Sequence, residues 1–153
     1  MKYDGNSVKQ WVGDSQWRAW RADLARFKKH GYSGWCSEGF WALTVYRIQY
    51  ALQNSKPRVM WLVPSIFMAA TKKLITVLTH INLNANAQIG PGLLIPHIGT
   101  IRVHPEAIIG ADCAIHHVAT IGAGSLPGAP TIGDHVSIGC HSCVLGPVII
   151  GDN

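Results

Sequence analysis

Charge is scarce in this chain. Only 14% of its 153 residues are Asp, Glu, Lys or Arg, against 48% apolar. That balance excludes a charge-extended disordered segment and leaves enough apolar surface for a buried core. A long apolar run is missing as well. The most apolar stretch, Val59 to Ala70, contains Pro64 and gives way to Thr71, Lys72 and Lys73. It is shorter than the roughly 20 residues a bilayer span needs, so no membrane span is expected. Packing on a partner helix is its commoner fate, and lying on a membrane surface the rarer one. Residues 1–13 are polar and lack the apolar core of a secretion signal, so a cytoplasmic location is expected. The cysteines are four, Cys36, Cys113, Cys140 and Cys143, without the pattern of a secreted scaffold. Reduced thiols are the expectation, with Cys113 buried. Acidic residues number 8 against 13 Lys and Arg, a net charge of +5. This suits an anionic ligand such as a phosphate-bearing cofactor. No nucleic-acid motif accompanies the charge, and no nucleic-acid partner is expected.

What the sequence does have is a period. An aliphatic residue followed by Gly returns at Ile89-Gly90, Ile109-Gly110, Ile121-Gly122, Ile132-Gly133, Ile138-Gly139 and Ile150-Gly151. Six-residue steps run Leu83, Ile89, Ile95, slip by two to Val103, and resume at Ile109, Ile115 and Ile121. After an interruption they continue at Ile132, Ile138, Val144 and Ile150. Four residues past most anchors sits a small or aliphatic side chain, as at Ala87, Ala107, Cys113 and Ala119. A unit of this size makes one short strand and one turn. It cannot bury its apolar side alone, so units must stack. Three units per coil give a triangular prism, and about eleven units give nearly four coils of a parallel β-helix. A sandwich would turn every 8–12 residues or so instead.

The first half reads as helical. Ser15 can cap a helix running to about Lys29, with Trp17, Trp20, Leu24 and Phe27 on one face, ended by His30-Gly31. Ser37 and Glu38 can open a second helix whose apolar side is Phe40, Trp41, Thr44, Val45, Ile48 and Leu52. A third covers Arg58 to just short of Leu83, with Pro64 near its first turns or at a kink. The expected class is α+β: a helical region over 1–80, then a prism over 81–153 that stops in mid-unit at Asn153. Ala123 to Thr131 replaces one unit and must bulge as a corner loop.

His97, His117 and Cys140 each lie two positions after an anchor, at Ile95, Ile115 and Ile138. If those anchors share a face, the three side chains form one column, each a layer from the next. A neutral imidazole on the outer wall of a rigid prism is a suitable general base.

The tracts Ala22-Asp23-Leu24, Tyr46-Arg47-Ile48, Ala87 to Leu93, Ile95-Pro96-His97, Ala119 to Gly122, Pro130 to Gly133 and Ile138 to Pro147 stand in an order that resembles serine acetyltransferases of the hexapeptide class. The resemblance implies a left-handed β-helix and an acetyl-CoA-dependent O-acetyltransferase. It implies that His97 takes the proton from an acceptor hydroxyl as the oxygen attacks the thioester. It places Asn82 where the family has the Asp that orients this His, and Pro96 where it has an Asp beside it. It also puts Ala129 and Gly128 at family His and Arg positions, and it finds no acidic amine-binding site in Lys29–Ser33. Sugar acetylases that look similar dispense with amino-acid-binding groups and share the His116-His117 tract. The acceptor is therefore serine or a sugar. The acceptor is expected to meet His117 and Pro96. The cofactor is assigned to Gly122, Ala123 and Cys140, with the Gly122-Ala123 backbone offered as oxyanion donor beside the column. The resemblance further implies a homotrimer or dimer of trimers with the site between prisms.

Two other functions stand beside this one. The Cys140-x-x-Cys143 pair and eight His invite a zinc site like that of gamma carbonic anhydrases, but there is no second pair and the His spacings do not match, so no metal is expected. A prism ending at Asn153 could also be a non-catalytic scaffold subunit.

Overall fold

A computed structural model describes residues 16–54 and 62–153. Three helices, α1 (Gln16–Lys29), α2 (Glu38–Asn54) and α3 (Leu62–Thr79), precede ten short strands. The strands are β1 (Ile81–Leu83), β2 (Gln88–Ile89), β3 (Ile101–Val103), β4 (Ile108–Ile109), β5 (Ala114–Ile115), β6 (Ala119–Gly122), β7 (Thr131–Ile132), β8 (Ser137–Ile138), β9 (Cys143–Leu145) and β10 (Ile149–Ile150). The expected cap at Ser15 and the start of the third helix at Arg58 lie outside the described residues.

The strands form three parallel stacks, ordered β1-β3-β6-β9, β2-β4-β7-β10 and β5-β8, the last extended by a bridge from Leu94 to Ala114. These are the three walls of a left-handed prism. Leu83 lies over Val103 and Ile121, and Ile89 over Ile109 and Ile132, so the anchors stack as their spacing demands. Ile95, Ile101, Ile109, Ile115, Ile121 and Ile132 are fully buried along the axis. The two-residue slip and the Ala123–Thr131 loop are absorbed at corners, because register is held by the wall strands and not by the turns. The Ile-Gly pairs have a packing reason: a Cβ on Gly110 would stand 2.5 Å from the backbone carbon of Gly133 in the next coil.

The helices cover the first coil. On α1 the buried stripe is Ala19, Asp23 and Phe27, with Trp20 and Leu24 partly covered. Trp17 is not in it: it is 63% exposed and stacks on Trp20, rings 4.9 Å apart. The face of α2 is also rotated from the expected one. Phe40, Leu43, Tyr46 and Arg47 point inward, while Trp41 and Ile48 are exposed. The cause is a buried ion pair. Arg47 donates to both carboxylate oxygens of Asp23, at 2.9 and 3.2 Å, and to the carbonyls of Ile89 and Gly90 at 2.7 and 2.6 Å. Asp23 in turn accepts from the backbone of Gly92 and Leu93 at 2.7 and 3.0 Å. A charge of each sign buried at the helix–prism seam fixes the rotation of both helices, since every polar atom there must find a partner. Among the described residues, no helix is long and apolar enough to cross a membrane.

Candidate functional site

The end of α1 sets one side of the site. Gly31 takes φ +79°, its N–H meets the Lys28 carbonyl at 3.0 Å, and the Tyr32 N–H reaches back to Phe27 at 3.0 Å. This is a Schellman cap, and its usual apolar contact is present as the Phe27 and Tyr32 rings, 6.1 Å apart edge to face. The cap therefore holds the Tyr32 ring in one place, at the prism corner that follows Ile95. There it meets His97, centroids 6.2 Å apart.

His97 is exposed on the outer wall. Its ring packs edge to face on His117 at 6.2 Å, and His117 packs on His141 at 5.9 Å. Tyr32, His97, His117 and His141 thus form one ladder of rings up a single corner. The third imidazole is His141, at the level where the spacing predicts Cys140. Strand register does align Cys140 with His117, since Ile138 lies under Ile115. At the corner, however, His141 adopts φ 60° and its N–H bonds to the His117 carbonyl at 3.3 Å, which brings its ring into the column. Cys140 is exposed. The Nδ1 of His117 is buried without a hydrogen-bond partner.

Asn82 stands on the outside of the β1 wall, above Arg102 and Thr120. No hydrogen bond joins it to His97 among the described residues. Pro96 is half-buried beside His97 and offers no polar side chain. Gly122 and Ala123 begin the expected loop, but they do not lie beside the imidazoles. Strand β6 separates His117 from Gly122, so the loop starts at the opposite edge of that wall, roughly 16 Å away at the rise of an extended strand. The loop packs on the next coil through Gly124 against Gly146 and Gly128 against Pro147.

Four of the described carboxylates are engaged elsewhere. Asp23 is buried on Arg47, and Asp112 pairs with Arg26 at 3.1 Å. Asp134 and Asp152 each accept a backbone N–H, at 2.7 and 2.8 Å. No group of three or more His, Cys, Asp or Glu is placed to hold a metal among the described residues.

Tyr32 and His141 are the residues the sequence reading missed. The helix-stop His30-Gly31 followed by an aromatic was a usable signal for the first. For the second, His is among the residues that tolerate a left-handed corner.

No profile of a known protein family matches the chain. It is similar to serine acetyltransferase of Helicobacter pylori, 33% identical over 119 residues, covering 75% of this chain and 65% of that protein. The Mycobacterium tuberculosis serine acetyltransferase is 29% identical over 121 residues, covering 77% of this chain and 50% of that one. Among solved structures, Neisseria gonorrhoeae serine acetyltransferase in complex with serine superposes with a TM-score of 0.72 at 22% identity, covering 92% of this chain and 60% of the other. A serine acetyltransferase complex with CoA gives 0.65 at 21% identity, covering 94% and 67%. The chain thus spans between half and two thirds of these relatives' lengths.

Proposed function

We propose that this chain, serine acetyltransferase-like in sequence and in fold, carries an acetyl-CoA-dependent O-acetyltransferase site with His97 as general base. The observation that supports it best is the exposed His97 ring, braced between Tyr32 and His117 on a rigid outer corner. An acceptor hydroxyl would lose its proton to His97 as its oxygen attacks the thioester carbon. The C–S bond then breaks, and the departing thiolate takes the proton from His97. No covalent enzyme intermediate is needed. His117, with a buried unpartnered nitrogen, would meet the acceptor. Pro96 would wall it. Asn82, on the neighbouring wall beside Arg102, would orient the His97 ring.

The oxyanion donors at Gly122 and Ala123 stand a wall's width from His97 in one chain. A neighbouring copy in a trimer would have to bring its own loop edge to this corner, with Cys140 lining the CoA side. The relatives' name favours serine as the acceptor. A second reading, a sugar hydroxyl, is favoured by the absence of a carboxylate from the described ring ladder. The ladder offers ring faces and ring nitrogens, and an uncharged sugar needs only hydrogen bonds and ring faces. The test is thiol release from acetyl-CoA with serine and with a sugar panel in parallel. Turnover with either supports acyl transfer, and the preferred acceptor decides between the two. Absence of turnover with every acceptor favours the scaffold reading.

A further inference from the structure

A cleft of about 520 Å³ opens between the second half of α1 and the prism. Arg26, Lys29 and His30 line it from the helix, and Asp112 and His135 from the prism. It belongs to neither the ring ladder nor the loop. Four of these five side chains are basic, and the one carboxylate is already bound to the Arg26 Nη1 at 3.1 Å. The Arg26 Nε is buried with no hydrogen-bond partner. Asp112 and His135 occupy successive left-handed corners, φ 52° and 62°, so the imidazole stands one coil beyond the ion pair. The His30 ring is fixed by contact of its Nδ1 with the Arg26 carbonyl at 2.9 Å. The C-terminal dipole of α1 accounts for cations in its last turn. It does not account for a histidine from the prism facing them across the cleft.

We propose that this cleft binds a phosphate-bearing ligand, a phosphomonoester or a diphosphate. A guanidinium fork suits phosphate oxygens, and Lys29 adds a point charge. The cleft lies at one edge of the β5–β8 wall and the ring ladder at the other. Asp112 leads through β5 to His117, and His135 through β8 to His141. At an extended rise the two edges are roughly 16–20 Å apart. A diphosphate anchored here could carry a sugar along that wall towards His97, a step that rests on the acyl-transfer reading. The phosphate site itself does not.

Calorimetric titration of the full chain with inorganic diphosphate tests it. Saturable binding is expected, weakened at least fivefold by Lys29→Gln and by Arg26→Gln, and unchanged by Lys28→Gln, an exposed lysine outside the cleft. Thermal melts of each variant check that it is folded. No saturable binding by the parent chain, or an equal loss in Lys28→Gln, overturns the proposal. Repeating the titration with a nucleoside diphosphate sugar and with CoA identifies the source. Whichever loses affinity in Lys29→Gln carries the phosphate bound here, and if neither does, free phosphate is the ligand. Because binding and not turnover is read, failure here leaves the acyl-transfer proposal untouched.

Discussion

At the scale of single residues, two side chains carry separate expectations. Cys113 is buried in the prism, its thiol donating to the Gly133 carbonyl at 3.1 Å, and burial pushes its pKa up to about 11. A thiol reagent at pH 8 should label Cys36, Cys140 and Cys143, all exposed, and reach Cys113 only on unfolding. Because the folded state holds the neutral thiol, its contribution to stability is intact below the ordinary value of 9.0 and is lost as pH climbs through about 11. Melting temperature in that window should fall less steeply in Cys113→Ala. Tyr32 meets His97 ring to ring, and among the described residues no hydrogen bond joins its hydroxyl to that imidazole. Tyr32→Phe should therefore keep kcat, and Tyr32→Ala should lower it about fivefold, the kinetic equivalent of an aromatic contact of about 1 kcal/mol. Equal losses in both variants would put the hydroxyl in the chemistry instead.

Among the elements, the seam between helices and prism depends on Asp23 and Arg47. Burial raises the pKa of Asp23, and the Arg47 charge with its hydrogen bonds opposes that rise. Removing one partner strands the other. Asp23→Ala or Arg47→Met should each cost about 3–5 kcal/mol in denaturant unfolding, while the double variant should cost much less than their sum. Additive losses would show that the pair is not coupled. Gly39 is a second tight point, since a Cβ there would stand 3.0 Å from the Ile95 Cβ and closer still to the Ile95 carbonyl. Gly39→Ala should lift α2 from the corner that presents His97, visible as lower thermal stability.

The elements also show what a linear reading can reach. The walls were legible because each anchor repeats at a spacing that the parallel register preserves, from Leu83 to Ile150. The face of α2 was not, because Arg47 looks like a surface residue until its partner, 24 positions earlier, is known. His97 and His117 were legible from their offsets to anchors. His141 and Tyr32 were not, because one enters through a left-handed corner and the other through a helix cap, neither of which follows a period. The distance of Gly122 from the column is not legible in the sequence, because offsets along the chain do not say which edge of a wall a corner occupies.

For the whole molecule, a single copy leaves Ile66, Phe67, Leu74, Val77 and Leu78 of α3 more than half exposed. An apolar stripe of that kind favours self-association. Sedimentation equilibrium should give three times the 16.6 kDa chain mass, or a multiple of that trimer. A concentration-independent monomer would remove the cleft in which Gly122 of one copy could serve His97 of another. The outward ring at position 97 is the proposed proton acceptor. Its most direct test is the kcat for thiol release from acetyl-CoA in His97→Ala beside His141→Ala, with the acceptor that serves the parent chain best. A fall of about 10²–10⁴-fold for His97→Ala, with a much smaller change for His141→Ala, is predicted. An unchanged kcat in His97→Ala would contradict it.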